Sequence, residues 1–162
     1  MAEEAGPAWP IERALEDFAP GDFIISPGRT IEASDISAFA GLTGDFYPLH
    51  VDEEFAKSTQ FEGRIAHGPL TFGIATGLVF LSGYYGRAIK AMLECRQLRA
   101  LKAVYPGDTI RVRATILEVG AWKSPKLGTL TVDYTVLNQR DEEVMNYIMV
   151  MLAAKRNVTE TA

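Results

Sequence analysis

From Gly68 to Leu81 the chain is apolar around nearly the whole circumference of a helix, with no charge and only Thr71 and Thr76 as polar side chains. Such a helix has little to offer water and must be buried on most sides. Pro69 suits its first turn, where a missing N–H costs nothing. The wider stretch from Pro69 to Tyr85 is interrupted by glycines and by Ser82, so a core helix fits better than a membrane span. The rest of the chain must therefore supply a wrapping layer, and the second half reads as one. Leu93 to Leu101 is a strand. Pro106-Gly107-Asp108 is a turn. Thr109 to Val119 alternates through Ile110, Val112, Ala114 and Ile116, and Leu130 to Leu137 through Leu130, Val132, Tyr134 and Val136. Glu143 to Ala154 is the last strand. Short turns between them imply an antiparallel meander. A helix-rich first part and a strand-rich second part give the α+β class, one helix laid on a curved antiparallel sheet.

The remaining elements are short. Residues 1–20 are acidic and hold three prolines, which reads as a tail with a short amphipathic piece over Ile11 to Phe18, partly ordered at most. The domain then covers 21–156, and 157–162 is a C-terminal tail. Phe23-Ile24-Ile25 is a short strand, and Ala33 to Ala40 a helix stopped by Gly41 or Gly44. Glu53 to Ser58 is another helix, with Asp52 as its cap. The last strand is apolar on both faces near Tyr147 to Leu152. Read as an edge it would aggregate, so a helix on one side and a partner subunit on the other are expected to cover it. Gly73 and Gly77, four apart on the long helix, would let another backbone approach closely.

Composition removes several functions. With 162 residues the chain suits one domain, and its formal charge of −5 does not suit a nucleic-acid surface. The single cysteine, Cys95, leaves no internal disulfide or multi-cysteine metal site and reads as a buried small hydrophobe. No basic, apolar leader opens the chain, so the cytoplasm is the expected compartment, with no membrane partner.

The chemistry is concentrated in two runs. Gly44-Asp45-Phe46-Tyr47-Pro48-Leu49-His50 sets a carboxylate and an imidazole five positions apart. Pro48 biases Tyr47 to extended geometry, so the run reads as an irregular loop on which the two groups can converge. Together they can hold one water between a base and a proton donor. Gly63-Arg64-Ile65-Ala66-His67-Gly68-Pro69 follows within twenty residues, and the chain's two histidines are His50 and His67. Gly68 opens the long helix, where free backbone N–H groups and the helix dipole favour negative charge.

These residues resemble the MaoC-like dehydratase family, best known for (R)-specific enoyl-CoA hydratases. The family pattern is a G-D-x-N-P-x-H run followed by I-A-H-G. It is matched here by Gly44-Asp45, Pro48-Leu49-His50, Asp52, Ala56 and Ile65-Ala66-His67-Gly68, with Val104 to Asp108 resembling a later P-V-x-x-G-D turn. The resemblance spans about residues 20–155. It implies a hot-dog fold, an antiparallel sheet wrapped round a long central helix, and assembly as a homodimer or larger homo-oligomer. It implies hydration of a 2-enoyl-CoA to an (R)-3-hydroxyacyl-CoA, without metal or organic cofactor, coenzyme A being part of the substrate. Asp45 and His50 are implied as the catalytic pair, Gly68 as the oxyanion site and Thr76 as an orienting hydroxyl. Tyr47 and His67 would support the loop.

One departure is Tyr47, where the family carries Asn. Two rival functions stay open. A hot-dog thioesterase generally places a carboxylate on or beside its central helix, and this helix carries none. A non-catalytic thioester-binding subunit would make sense of Tyr47 but not of an intact Asp45/His50 pair. Tyr84, Tyr85 and Ile89, just after the helix, are candidates for the wall of an acyl pocket. Arg96, Lys123 and Lys126 are as well explained by solvation as by binding phosphates.

Overall fold

The computed structural model describes residues 11–156, so residues 1–10 and the 157–162 tail lie outside it. Six strands form an antiparallel sheet. They are β1 (Phe23–Ile25), β2 (Arg29–Thr30), β3 (Ile89–Ala100), β4 (Thr109–Ala121), β5 (Leu127–Leu137) and β6 (Glu143–Ala154). The order is β1-β4-β5-β6-β3, with β2 also on β4. Four helices precede β3: α1 (Ala33–Thr43), α2 (Pro48–Val51), α3 (Glu53–Lys57) and the long α4 (Gly68–Leu81). The sheet curls round α4, which is the hot-dog arrangement of the α+β class.

Alternation explains the sheet. Along β4 as far as Ile116, and along all of β5, every second residue is buried, with Ile110, Val112, Ala114, Leu130, Val132, Tyr134 and Val136 fully enclosed. They meet the inner face of α4, where Leu70, Ala75, Leu78 and Val79 are buried. The opposite face of α4 is open: Gly73 and Gly77 are exposed, and a Cβ at either would meet nothing. The helix is thus buried on one broad face rather than on most sides.

The phenols of the core are paired. Tyr85 and Tyr134 hydroxyls lie 2.7 Å apart, and Tyr134 stacks on Tyr147 at 4.7 Å. Burial pushes all three phenols above their ordinary pKa.

Three expectations change. The last strand, β6, is not an edge: it lies between β5 and β3 throughout its length. Its inner face, with Met145, Tyr147, Met149, Met151 and Ala153, is buried within the chain, whereas Ile148 and Leu152 on the outer face are half-buried, so a partner is not needed to cover an edge of this strand. The exposed edge belongs to β3. Residues 11–18 are not merely a tail. Leu15 and Phe18 are buried, and Leu15 packs so closely on Gly128 that a Cβ there would overlap its side chain. Finally, Pro48 to Val51 is one helical turn rather than irregular loop, with Pro48 in the first turn where proline is tolerated.

Candidate active site

The two motif runs meet at one end of the sheet. Helix α1 ends at Gly44, whose φ of 78° closes the helix and turns the chain towards Asp45. Asp45 is exposed, and the Tyr47 N–H donates to its Oδ1 at 3.3 Å. The turn of α2 presents His50. Asp52 then caps α3 by accepting from the Glu54 and Phe55 N–H groups, both at 3.0 Å, as its position predicts. The second run is held from two sides. Arg64 pairs with Glu53 at 2.9 Å, and the Ala66 N–H donates to the Val104 carbonyl at 2.7 Å. Val104 is positioned by the Pro106-Gly107-Asp108 turn, where Gly107 has φ 93° and its N–H donates to the Ile31 carbonyl.

These supports bring Asp45, His50 and His67 together, with one donor atom of each within 4.8 Å of the others. The His50 and His67 rings stack with centroids 3.8 Å apart and planes 28° from parallel. Their backbone contacts fix the tautomers. His50 Nδ1 is 2.8 Å from the Ile65 carbonyl, which can only accept, so Nδ1 carries a proton and the lone pair of the neutral ring sits on Nε2. His67 Nε2 is 3.0 Å from the Asp45 carbonyl, so Nε2 donates there. His67 is buried and its Nδ1 has no partner among the described residues. Its contacts are with the backbone of Asp45, the ring of His50 and Phe39, so it supports the loop from beneath.

His50 opens into a cavity of about 350 Å³. Gly68 and Thr71 line it from α4, Phe61 and Ile65 from the preceding loop, and Leu101 and Met145 from the sheet side. A Cβ on Gly68 would meet nothing within 4 Å, so the space in front of this helix start is free. Phe61, Leu101, Val144 and Met145 were not foreseen: no local pattern in the sequence links the start of β6 to a loop eighty residues earlier. Tyr105 is a similar case, its hydroxyl donating to the Phe61 carbonyl at 3.1 Å.

Other expected site residues lie elsewhere. The Thr76 hydroxyl is 2.9 Å from that of Tyr147 on β6, so it bridges helix to sheet and orients nothing in the Asp45 loop. Tyr85 is in the core against Tyr134, and Tyr84 stands beside Arg13, Asp22 and Phe23. Neither lines the His50 cavity. Tyr47 is exposed and meets the edges of His50 and Phe55 at 6.3 and 6.1 Å. Cys95 on β3 is half-buried, and burial pushes its thiol up.

Residues 18–138 match the model of the MaoC like domain, which spans both motif runs and the turn that supports them. The chain belongs to the MaoC-like family. It is 37% identical over 125 residues to an (R)-specific enoyl-CoA hydratase of Rhodospirillum rubrum, covering 75% of this chain and 81% of that protein. It is also 37% identical over 106 residues to Protein MaoC of Klebsiella aerogenes, covering 65% of this chain but only 31% of that longer relative. Among solved structures, the MaoC-like dehydratase from Rhodospirillum rubrum superimposes with a TM-score of 0.82 at 32% identity, covering 91% of this chain and 100% of that one. No helix among the described residues is long and apolar enough to cross a membrane.

Proposed function

We propose that this MaoC-like protein is a hydro-lyase that interconverts 2-enoyl-CoA and (R)-3-hydroxyacyl-CoA. The observation that carries the reading is the His50 tautomer beside the Asp45 carboxylate, at the rim of a cavity that Gly68 also lines. Hydration needs water delivered to the β-carbon, a proton delivered to the α-carbon and a place for charge on the thioester oxygen. With Nδ1–H held by Ile65, the Nε2 lone pair of His50 takes a proton from a water that Asp45 orients by accepting its other hydrogen. The hydroxyl adds to the β-carbon, and the proton on Nε2 passes to the α-carbon on the same face. Charge on the thioester oxygen is met by the Gly68 N–H at the start of α4, with the helix dipole behind it. The chemistry needs no metal or organic cofactor. Relatives named as enoyl-CoA hydratases and as a 3-hydroxybutyryl-CoA dehydratase support the substrate class and stereochemistry.

A homodimer through sheet edges and a cytoplasmic setting belong to the same reading. The edge of β3 is the support for the dimer, since Met92, Leu93 and Leu98 are exposed along it. The reading is tested by loss of absorbance of crotonyl-CoA on wild type, Asp45→Asn and His50→Ala. Turnover by wild type with a loss of about 10²-fold or more in each folded variant supports the pair. Tight thioester binding without turnover by wild type points to a binding subunit instead.

A further inference from the structure

Away from His50 and Gly68 the walls of the His50 cavity are apolar. Phe61 lines it from the loop before α4, Leu101 from just beyond β3, and Val144 and Met145 from the start of β6. The one cation among its lining residues, Lys102, is committed to Glu142 at 2.7 Å. Such a lining suits a hydrocarbon tail. A water-sized group takes about 30 Å³, so a volume of about 350 Å³ has room for about a dozen non-hydrogen atoms. The carbonyl oxygen and sulfur of a thioester placed at Gly68 use part of that space. A hexenoyl thioester fits in the remainder. A dodecenoyl thioester, with twelve carbons besides its oxygen and sulfur, does not.

One of these walls is presented by a strained turn. Glu62, directly after Phe61, is a non-glycine residue with φ 56°, in the left-handed region. Thr59 opens the turn. Its carbonyl accepts the Glu62 N–H at 3.1 Å, and its Oγ1 accepts the Phe61 N–H at 3.2 Å. The Thr59 hydroxyl in turn donates to the Ala56 carbonyl of α3 at 2.7 Å. From the other side, the Tyr105 hydroxyl donates to the Phe61 carbonyl at 3.1 Å. Tyr105 is itself fixed, its N–H donating to the Asp108 carboxylate at 2.8 Å. Both main-chain polar groups of Phe61 are therefore engaged, and what the residue offers the cavity is its ring. Left-handed strain persists only where the surroundings over-determine it. Here they hold an aromatic ring against the space where the acyl group must lie.

We propose that Phe61, clamped by Tyr105, is the wall that limits acyl-chain length, so that the substrates are short-chain 2-enoyl thioesters. This rests on the hydratase reading and adds to it a substrate class and the residue that sets it. The role falls to Phe61 and not to Tyr84 or Tyr85, which stand outside the cavity.

The experiment measures kcat/KM on crotonyl-CoA, 2-hexenoyl-CoA and 2-dodecenoyl-CoA. Wild type favours the hexenoyl over the dodecenoyl thioester about tenfold or more. In Phe61→Ala the ratio of dodecenoyl to crotonyl activity rises about tenfold or more, and in Phe61→Trp the ratio of hexenoyl to crotonyl activity falls. Phe61→Leu moves in the same direction as alanine and serves if the alanine variant does not fold. Tyr105→Phe keeps its ring and loses only the O–H clamp, so its ratios lie between those of wild type and Phe61→Ala. General damage to the site lowers all three substrates together and cannot give opposite shifts for smaller and larger side chains. Ratios that stay at wild-type values in the folded Phe61 variants, or a wild type that prefers dodecenoyl-CoA, overturn the wall. Wild-type ratios in Tyr105→Phe overturn the clamp. If wild type turns over none of the three, the hydratase reading fails. The wall is then judged by calorimetric titration with butyryl-CoA and dodecanoyl-CoA. A wild-type preference for butyryl-CoA that narrows about tenfold in Phe61→Ala keeps it, and an unchanged preference overturns it.

Discussion

Two positions in the motif runs separate backbone from side-chain roles. Tyr47 replaces the family's Asn, yet its contact with Asp45 is made by its N–H. Any residue but proline supplies that donor, so Tyr47→Asn is expected to change kcat less than about threefold. Its exposed ring meets His50 and Phe55 edge-on, so any effect should fall on KM. Steady-state kinetics on crotonyl-CoA separates the two. A drop in kcat of tenfold or more would mean that the side chain acts on the pair. Gly68 gives the opposite case. Because an added Cβ meets no protein atom, Gly68→Ala should fold with a Tm within a few degrees of wild type. The methyl occupies the space in front of the helix start, so kcat/KM should fall about 10²-fold or more, as for loss of an oxyanion donor. Equal activity in Gly68→Ala would remove Gly68 from the site. The motif itself was readable at this scale because it depends on neighbours within seven positions. The tautomer of His50 was not, because its cause is the Ile65 carbonyl fifteen residues away.

At the scale of elements, helix and strand types were legible because each carries its own period. Helix α4 has the predicted bounds, Gly68–Leu81, and β6 those of Glu143–Ala154. Their neighbours were not legible. A strand apolar on both faces is equally a covered edge or a central strand, and only the pairing of β6 with β3 decides. Thr76 was misjudged for the same reason, since its partner Tyr147 lies seventy-one residues on. The Tyr85–Tyr134 pair offers a test of core coupling. Tyr85→Phe alone strands the buried Tyr134 hydroxyl and should cost about 1–3 kcal/mol, whereas Y85F/Y134F removes both polar groups and should recover most of it. Urea unfolding of the three variants measures this. Additive losses would mean that the hydroxyls do not depend on each other. The β5–β6 turn offers a pH test. Side-chain hydrogen bonds from Asn138, then Lys102 and Arg140, hold the Glu142 carboxyl down to about 2. A depressed carboxyl stabilises the fold above its unfolded pKa of about 4.3, and that contribution fades as pH falls towards 2. The Tm gap between wild type and Glu142→Gln should therefore be constant from neutral pH to about 5 and close between about 4 and 2. A gap that persists at pH 2 would assign it to packing rather than charge.

For the whole molecule, the central question is what completes β3. A strand of twelve residues with one edge unpaired among the described residues, and with Met92, Leu93 and Leu98 exposed along it, invites another strand. The opposite edge, β1, is only three residues long and is followed by β2 and α1, so it offers little to pair with. A second copy on β3 buries the apolar residues and satisfies the edge at once. Leu93→Lys with Leu98→Lys places like charges on both copies at the centre of that seam and should leave a monomer by analytical ultracentrifugation. The core residues Leu15, Ile116, Leu130 and Met151 stay enclosed within one chain, so the monomer should keep its far-ultraviolet circular dichroism. Activity should nevertheless fall, because Ala100 and Leu101 line the His50 cavity and their strand would lose its cover. A dimer that survives both lysines would place the interface on another surface, and the open α4 face along Gly73 and Gly77 would be next to examine. A monomer that keeps full activity on crotonyl-CoA would show that each chain holds a complete site and that pairing serves only to cover β3.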